Sequence, residues 1–255
     1  MDNCIKNNIT VSWLFCTNNV DNRTFLTIDS CLNQTYKNFI IILVLNGDNL
    51  DYKEQLIVLR YGHSHLIKVV KSNLIGLASN LNIGLFFCET EFVARIDNGD
   101  TSTSHRLEKQ LSRFSNNDKL VVLGSNYNLV DGDFFIKKIN LPLTNRNIRK
   151  LLLIKNPLCH PSVMFRTNFI RKIGGYPKLK FAQDYALWRE LSRNKNIEFE
   201  NLEEPLVNYS YESETDSRNN DENYRIIFII YLTEFFYKLS VFKLISKIKN
   251  LIRLK

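Results

Sequence analysis

The spacing of apolar positions changes repeatedly along this chain. From Ile9 to Cys16 (ITVSWLFC) strand-forming residues follow one another and predict a short strand. From Asn22 to Gln34 the apolar Phe25, Ile28 and Leu32 recur three and four residues apart, with Asp21 or Asn22 placed to cap, and predict a helix. Phe39 to Leu45 (FIIILVL) is apolar on both faces, as in a fully buried strand, and Asn46-Gly47-Asp48 ends it in a turn. Leu66 to Val70 reads as a third strand, Leu74 to Phe87 as a helix, and Glu91 to Ile96 (EFVARI) as a fourth strand, which stops at Asp97-Asn98-Gly99-Asp100. This alternation predicts an α/β fold with a doubly wound, mostly parallel sheet and helices on both faces. Ligands of such sheets bind at the carboxyl ends of the strands. Thr17-Asn18-Asn19, Asn46-Gly47-Asp48 and Asp97 to Asp100 all fall at that edge.

The pattern loosens in the second half. Lys119 to Tyr127 and Phe134 to Ile139, joined through Asp131-Gly132-Asp133, predict a β-hairpin. Arg146 to Ile154 reads as a short helix, Ser162 to Arg166 as a strand, and Ala182 to Arg193 as a helix after the Gly174-Gly175-Tyr176 turn. The clear break follows residue 211, where a polar, acidic stretch precedes an apolar, basic one. The expected organisation is one domain over 1–211, with halves 1–118 and 119–211, and a C-terminal amphipathic helical tail over 212–255.

Charge sharpens that division. The 255 residues carry 34 Lys+Arg against 26 Asp+Glu, a net +8. Residues 224–255 hold seven basic residues against Glu234, a net +6, which leaves +2 for the rest. Val241, Leu244, Ile245, Ile248, Leu251 and Ile252 recur at helical spacing there, with Lys243 and Lys247 on another face, as in a helix lying on an anionic membrane surface. No RNA- or DNA-binding motif accompanies the basic excess, so nucleic acid is not an expected partner. Five cysteines without CxxC spacing predict buried free thiols. Residues 1–8 are polar, with no signal pattern after them, and Ile226 to Leu232 is too short to span a bilayer. The expected location is cytoplasmic, peripheral on the cytosolic face of the inner membrane.

Neither GxGxxG after the first strand nor GxxxxGK[ST] is present, which disfavours a dinucleotide-binding Rossmann protein and a P-loop NTPase. Without a glycine-rich cradle, a diphosphate ligand needs a metal or basic side chains to neutralise it, and the Asp97 to Asp100 turn is a candidate metal holder.

Several segments in register resemble the family-2 glycosyltransferases of the GT-A fold. These are Thr17-Asn18-Asn19 through Phe39, Asn73 to Leu85 (NLIGLASNLNIGL), Phe92 to Gln110, and Asn156 to Trp188, together spanning roughly residues 9–210. The resemblance implies an inverting transfer in which one carboxylate deprotonates the acceptor hydroxyl while a divalent ion, Mn2+ or Mg2+, neutralises the departing diphosphate. It places Asp184 as the base, Asp97 and Asp100 at the metal turn, and Thr17, Asn19, Asn46, Asn73 and Asp97 at nucleotide positions. On the acceptor side, Trp188 reads as core packing the helix that carries Asp184, with an acceptor-sugar platform as the alternative; His160 reads as a structural histidine or as a binder of an acceptor or donor phosphate, and Arg166 as a phosphate contact or a surface ion pair. Gly99 stands where the family's turn usually carries its metal-ligating Asp, so either Asp100 takes over or metal dependence is altered. Asn46 stands near the usual uracil-reading Asp, Asn18 replaces an aromatic, and Gln183 replaces a common Glu beside the base.

Size and motifs resemble bacterial O-antigen and capsule repeat-unit enzymes. They imply a UDP-glucose donor, a β-1,3 linkage, and a HexNAc acceptor on undecaprenyl diphosphate. The alternative is a non-catalytic sugar-nucleotide-binding module with a degenerate metal turn.

Overall fold

The structure is a computed structural model describing residues 10–211 and, beyond them, a few helical positions between 229 and 240. The chain forms two units, residues 1–214 and 215–255. The amphipathic face expected between Val241 and Ile252, and Cys4, lie outside the described residues.

The first half alternates: β1 (Val11–Thr17), α1 (Asn22–Leu32), β2 (Phe39–Asn46), α2 (Leu50–Tyr61), β3 (Ile67–Ser72), α3 (Leu77–Phe87) and β4 (Phe92–Ile96), all expected but α2. Asp21 caps α1, its carboxylate accepting from the amides of Arg23 and Thr24 while the Thr24 hydroxyl accepts from the Asp21 amide. The four strands lie parallel in the order β3-β2-β1-β4.

Strand alternation divides the apolar side chains between two faces. Trp13, Phe15, Ile41, Leu43 and Ala94 share one core with Ile28 of α1, Ile57 of α2 and, from further along, Leu107 and Phe114 of α4 (Arg106–Ser115). The intervening Leu14 and Val44 face α3, where Gly84 lets helix and sheet approach. A Cβ on Gly84 would stand 2.9 Å from Val44 Cγ2 and nearer still to Leu14 Cδ1. The glycine of the Leu-Asn-x-Gly segment is thus a packing residue.

The second half is mixed. It comprises β5 (Thr101–Ser102), β6 (Leu120–Asp131), β7 (Phe134–Ile139), α5 (Asn145–Leu151), β8 (Met164–Arg166), α6 (Thr167–Lys172), α7 (Gln183–Leu191) and β9 (Glu198–Ser210). β8 joins β4 to β6 by antiparallel pairing, β9 runs parallel to β6, and β5 pairs antiparallel with β9. The expected hairpin is present as β6–β7.

Arg106 and Gln110 of α4 hold the seam where pairing changes sense. Arg106 is fully buried and donates to the carbonyls of Pro161 (2.9 Å), Arg95 (2.9 Å) and Val163 (3.1 Å). Gln110 Nε2 donates to Leu123 O at 3.0 Å and Ser162 O at 2.9 Å. These donors satisfy carbonyls that the irregular ladder leaves over. Burial lowers the Arg106 pKa to about 10, which still leaves it charged at neutral pH.

Candidate functional site

The carboxyl ends of β1 to β4 form one edge. Thr17 is buried and turns the β1 loop, its hydroxyl donating to Asn19 O at 2.6 Å and accepting the Asn19 amide at 3.2 Å. Asn19 is exposed and spends its side-chain amide on Asp21 at 2.8 Å. Both residues therefore shape the loop. Asn46 ends β2, where its carbonyl accepts from Lys53 at 2.9 Å. The β2 loop then passes the β1 loop, with the space above Gly47 (φ +79°) bounded by Asn18 at 3.8 Å. Beside it, Asp48, Tyr52, Lys71 and the exposed Asn73 line an open cleft of about 640 Å³.

The acidic turn follows β4. Arg95 is completely buried within that strand, and its guanidinium donates to Leu14 O at 3.1 Å and is ion-paired with Asp97. Asp100 is 3% exposed. Its Oδ1 accepts the Ser210 amide at 2.8 Å, and its buried Oδ2 has no hydrogen-bond partner among the described residues. Burial, and secondly the charge of Asp97, push the Asp100 pKa well above the usual carboxylate range.

The fit of a divalent ion to this turn follows from its donors. Asp97 is engaged by Arg95, Asp100 is turned inward, Gly99 has no side chain, and the guanidinium of Arg23 occupies the space a side chain at Gly99 would enter. A dication there would meet that guanidinium directly, with Arg95 behind Asp97, and like charges at such range repel strongly. No group of three or more His, Cys, Asp or Glu able to hold a metal occurs among the described residues. The residues expected as metal ligands, Asp97 and Asp100, do not make a divalent-ion site in this arrangement.

Asp184 lies in the first turn of α7, half-buried. Asn156 Nδ2 donates to its Oδ2 at 2.7 Å. Burial raises its pKa above the ordinary carboxylate value, the Tyr185 amide and Asn156 pull it partly back, and Asp97 adds a further upward push. The residue that leads into the helix, Ala182, is left-handed at φ +56°, a conformation unfavourable for a Cβ-bearing residue.

Of the two readings each for Trp188 and His160, the structural one is found, and the acceptor-binding one is set aside. Trp188 is fully buried against Phe165 and His160, so its ring has no face to offer a sugar. His160 is buried, with Nε2 3.1 Å from the Tyr176 hydroxyl. Burial, aided by Arg95, holds its pKa well below the usual value, and a neutral, enclosed imidazole is a poor phosphate ligand. Arg166 pairs with Glu91 and donates to Leu120 O at 3.0 Å, the ion-pair reading. The buried thiols expected are found at Cys16, Cys31, Cys88 and Cys159.

Arg95, Asn156 and Tyr176 bond to Asp97, Asp184 and His160, and Arg23 stands against Gly99; sequence reasoning singled out none of the four as site residues. Asn82 fixes Tyr176 through both its backbone groups, at 2.7 and 2.8 Å. One signal was available: Arg95 is a charged residue in the middle of a strand otherwise apolar on both faces.

The family model for glycosyl transferase family 2 matches residues 12–174. The O-antigen biosynthesis glycosyltransferase WbnJ of Escherichia coli is 33% identical over 213 residues, 82% of each chain. An Escherichia coli UDP-Gal:α-D-GlcNAc-diphosphoundecaprenol β-1,3-galactosyltransferase is 27% identical over 209 residues, 79% of this chain and 74% of that one. Among solved structures, Staphylococcus aureus TarS 1-349 in complex with UDP superposes with a TM-score of 0.68 at 17% identity, over 88% of this chain and 65% of that one.

Proposed function

Because the chain belongs to glycosyl transferase family 2, it is a glycosyltransferase, and we propose that it inverts the anomeric carbon as it moves a hexose from UDP to a lipid-diphosphate-linked sugar. The observation that carries this reading is Asp184: a half-buried carboxylate in the first turn of α7, held by Asn156, with a raised pKa to which the charge of Asp97 contributes. A raised pKa suits a general base, because it brings proton affinity closer to working pH. Asn156 and the Tyr185 amide fix the carboxylate, leaving its function to accept the acceptor hydroxyl's proton. Asp97 is held by Arg95 at the donor side, and the cleft beside Asn73 receives the nucleotide end.

The acceptor is a HexNAc on undecaprenyl diphosphate, within O-antigen assembly, in line with what the names of the two Escherichia coli relatives specify for those proteins. UDP-glucose in β-1,3 linkage is the first donor to test, with UDP-galactose, the donor in one relative's name, the second. Work at a membrane surface is supported by β7, whose Phe134 and Phe135 are exposed beside Lys137 and Lys138. No helix among the described residues is long and apolar enough to cross a membrane. A screen of UDP release across UDP-hexoses, with and without Mn2+, tests the donor class. Release from one hexose in the presence of acceptor, lost in Asp184→Asn, supports the reading, and no release from any donor contradicts it.

A further inference from the structure

We propose that Arg23 supplies the positive charge which a divalent ion would otherwise bring to the acidic turn, so that the donor diphosphate is neutralised by a side chain of α1. This rests on the nucleotide-sugar reading above and names the group that takes the leaving charge. Gly99 sits at φ +90°, and a Cβ there would lie 2.9 Å from both Nε and Cζ of Arg23. The place where a carboxylate side chain would stand to receive a cation is therefore filled by a cation.

The juxtaposition is built, since α1 and the turn are locked together one helical turn further on. The Thr27 hydroxyl accepts the Gly99 amide at 3.0 Å and donates to Asp100 O at 2.8 Å. At the N-terminus of α1, Asp21 takes the Arg23 and Thr24 amides at 3.0 and 3.1 Å. The helix terminus consequently offers little anion site of its own, and the guanidinium carries the charge. Arg23 is half-buried as a residue, so part of its surface is open to solvent. Its planar fork suits two oxygens at once. The absence of a glycine-rich cradle leaves the same requirement for a basic side chain.

In the transfer, the acceptor oxygen forms a bond to the anomeric carbon as the bond from that carbon to the β-phosphate oxygen breaks. The electron pair of the broken bond stays on the β-phosphate of UDP, beside Arg23, and the acceptor proton passes to Asp184.

Calorimetry with the full chain tests this, using UDP and uridine as probes in EDTA and in Mn2+. Wild type should bind UDP equally tightly in both buffers. Arg23→Ala should bind UDP about tenfold more weakly or worse, Mn2+ should not restore it, and uridine affinity should be unchanged. Arg23→Lys should fall between. Wild-type UDP binding that requires Mn2+, or an Arg23→Ala chain that binds UDP as tightly as wild type, overturns the proposal while leaving the glycosyltransfer reading intact. If wild type binds neither UDP nor uridine in either buffer, the nucleotide reading fails and this inference with it. Should Arg23→Ala not fold, the comparison of the two buffers on wild type decides.

Discussion

Asn156 donates its side-chain amide to Asp184 at 2.7 Å across 28 residues, linking the loop before His160 to the first turn of α7. Asp184→Asn should keep the fold and lose about a hundred- to ten-thousandfold in kcat, the range for a positioned proton acceptor. Asn156→Ala should lose about tenfold, because the carboxylate keeps its chemistry and loses its orientation. Steady-state kinetics on the best donor check both, with circular dichroism to confirm folding.

The same pair sets a pH dependence. Asp184 works deprotonated and its pKa is raised by burial, so activity should fall on acidification at a pH above the ordinary carboxylate pKa of about 4. Asn156 stabilises the charged form, and removing it raises the pKa further. The acidic limb of kcat/KM should therefore move to higher pH in Asn156→Ala. A limb that stays in place would detach Asn156 from the base.

Asp100 gives a stability test. Its folded-state pKa is raised, so the folded chain holds a proton that the unfolded chain releases above about pH 4. The group thus favours folding at low pH and loses that advantage as pH rises toward its folded value. Asp100→Asn keeps an acceptor for the Ser210 amide without a charge to desolvate. Thermal melts should show its Tm rising relative to wild type as the pH increases from 4 to 8; a constant difference would refute the account.

Packing at Gly84 predicts a cost of about 1–3 kcal/mol for Gly84→Ala, since Leu14 and Val44 must give way in a full core. Urea denaturation monitored by the buried Trp13 and Trp188 measures it.

The β7 tip predicts a membrane contribution separate from catalysis. Phe134→Ser with Phe135→Ser should weaken sedimentation with anionic vesicles about tenfold or more, from the apolar area removed, and leave UDP release unchanged.

The strands β1, β2 and β4 were legible because each is apolar on both faces and ends abruptly in polar turn residues. β9 was not: EFENLEEPLVNYS alternates unevenly, contains Pro205, and becomes a strand only by pairing with β6 on one side and β5 on the other. α2 escaped for a related reason, since Ile57 is its only buried side chain and its apolar stripe is weak. At the site, single residues at the strand ends could be placed from local motifs. Their partners could not, because Asn156 meets Asp184 through loop geometry and Arg23 meets Gly99 across the sheet edge. Thr17 shows the converse, its hydroxyl turned to the Asn19 backbone: a position in a motif does not reveal which way a side chain turns.

Glycosyl transfer itself is the most direct test. The full chain is incubated with labelled UDP-glucose or UDP-galactose and a HexNAc-diphospho-lipid, with Mn2+ in one arm and EDTA in the other, and the product's anomeric configuration is read by NMR. The expected product is a β-linked hexosyl lipid from the α-linked UDP-hexose with wild type and none with Asp184→Asn. No product from any UDP-hexose in either arm, or equal product from Asp184→Asn, would contradict it.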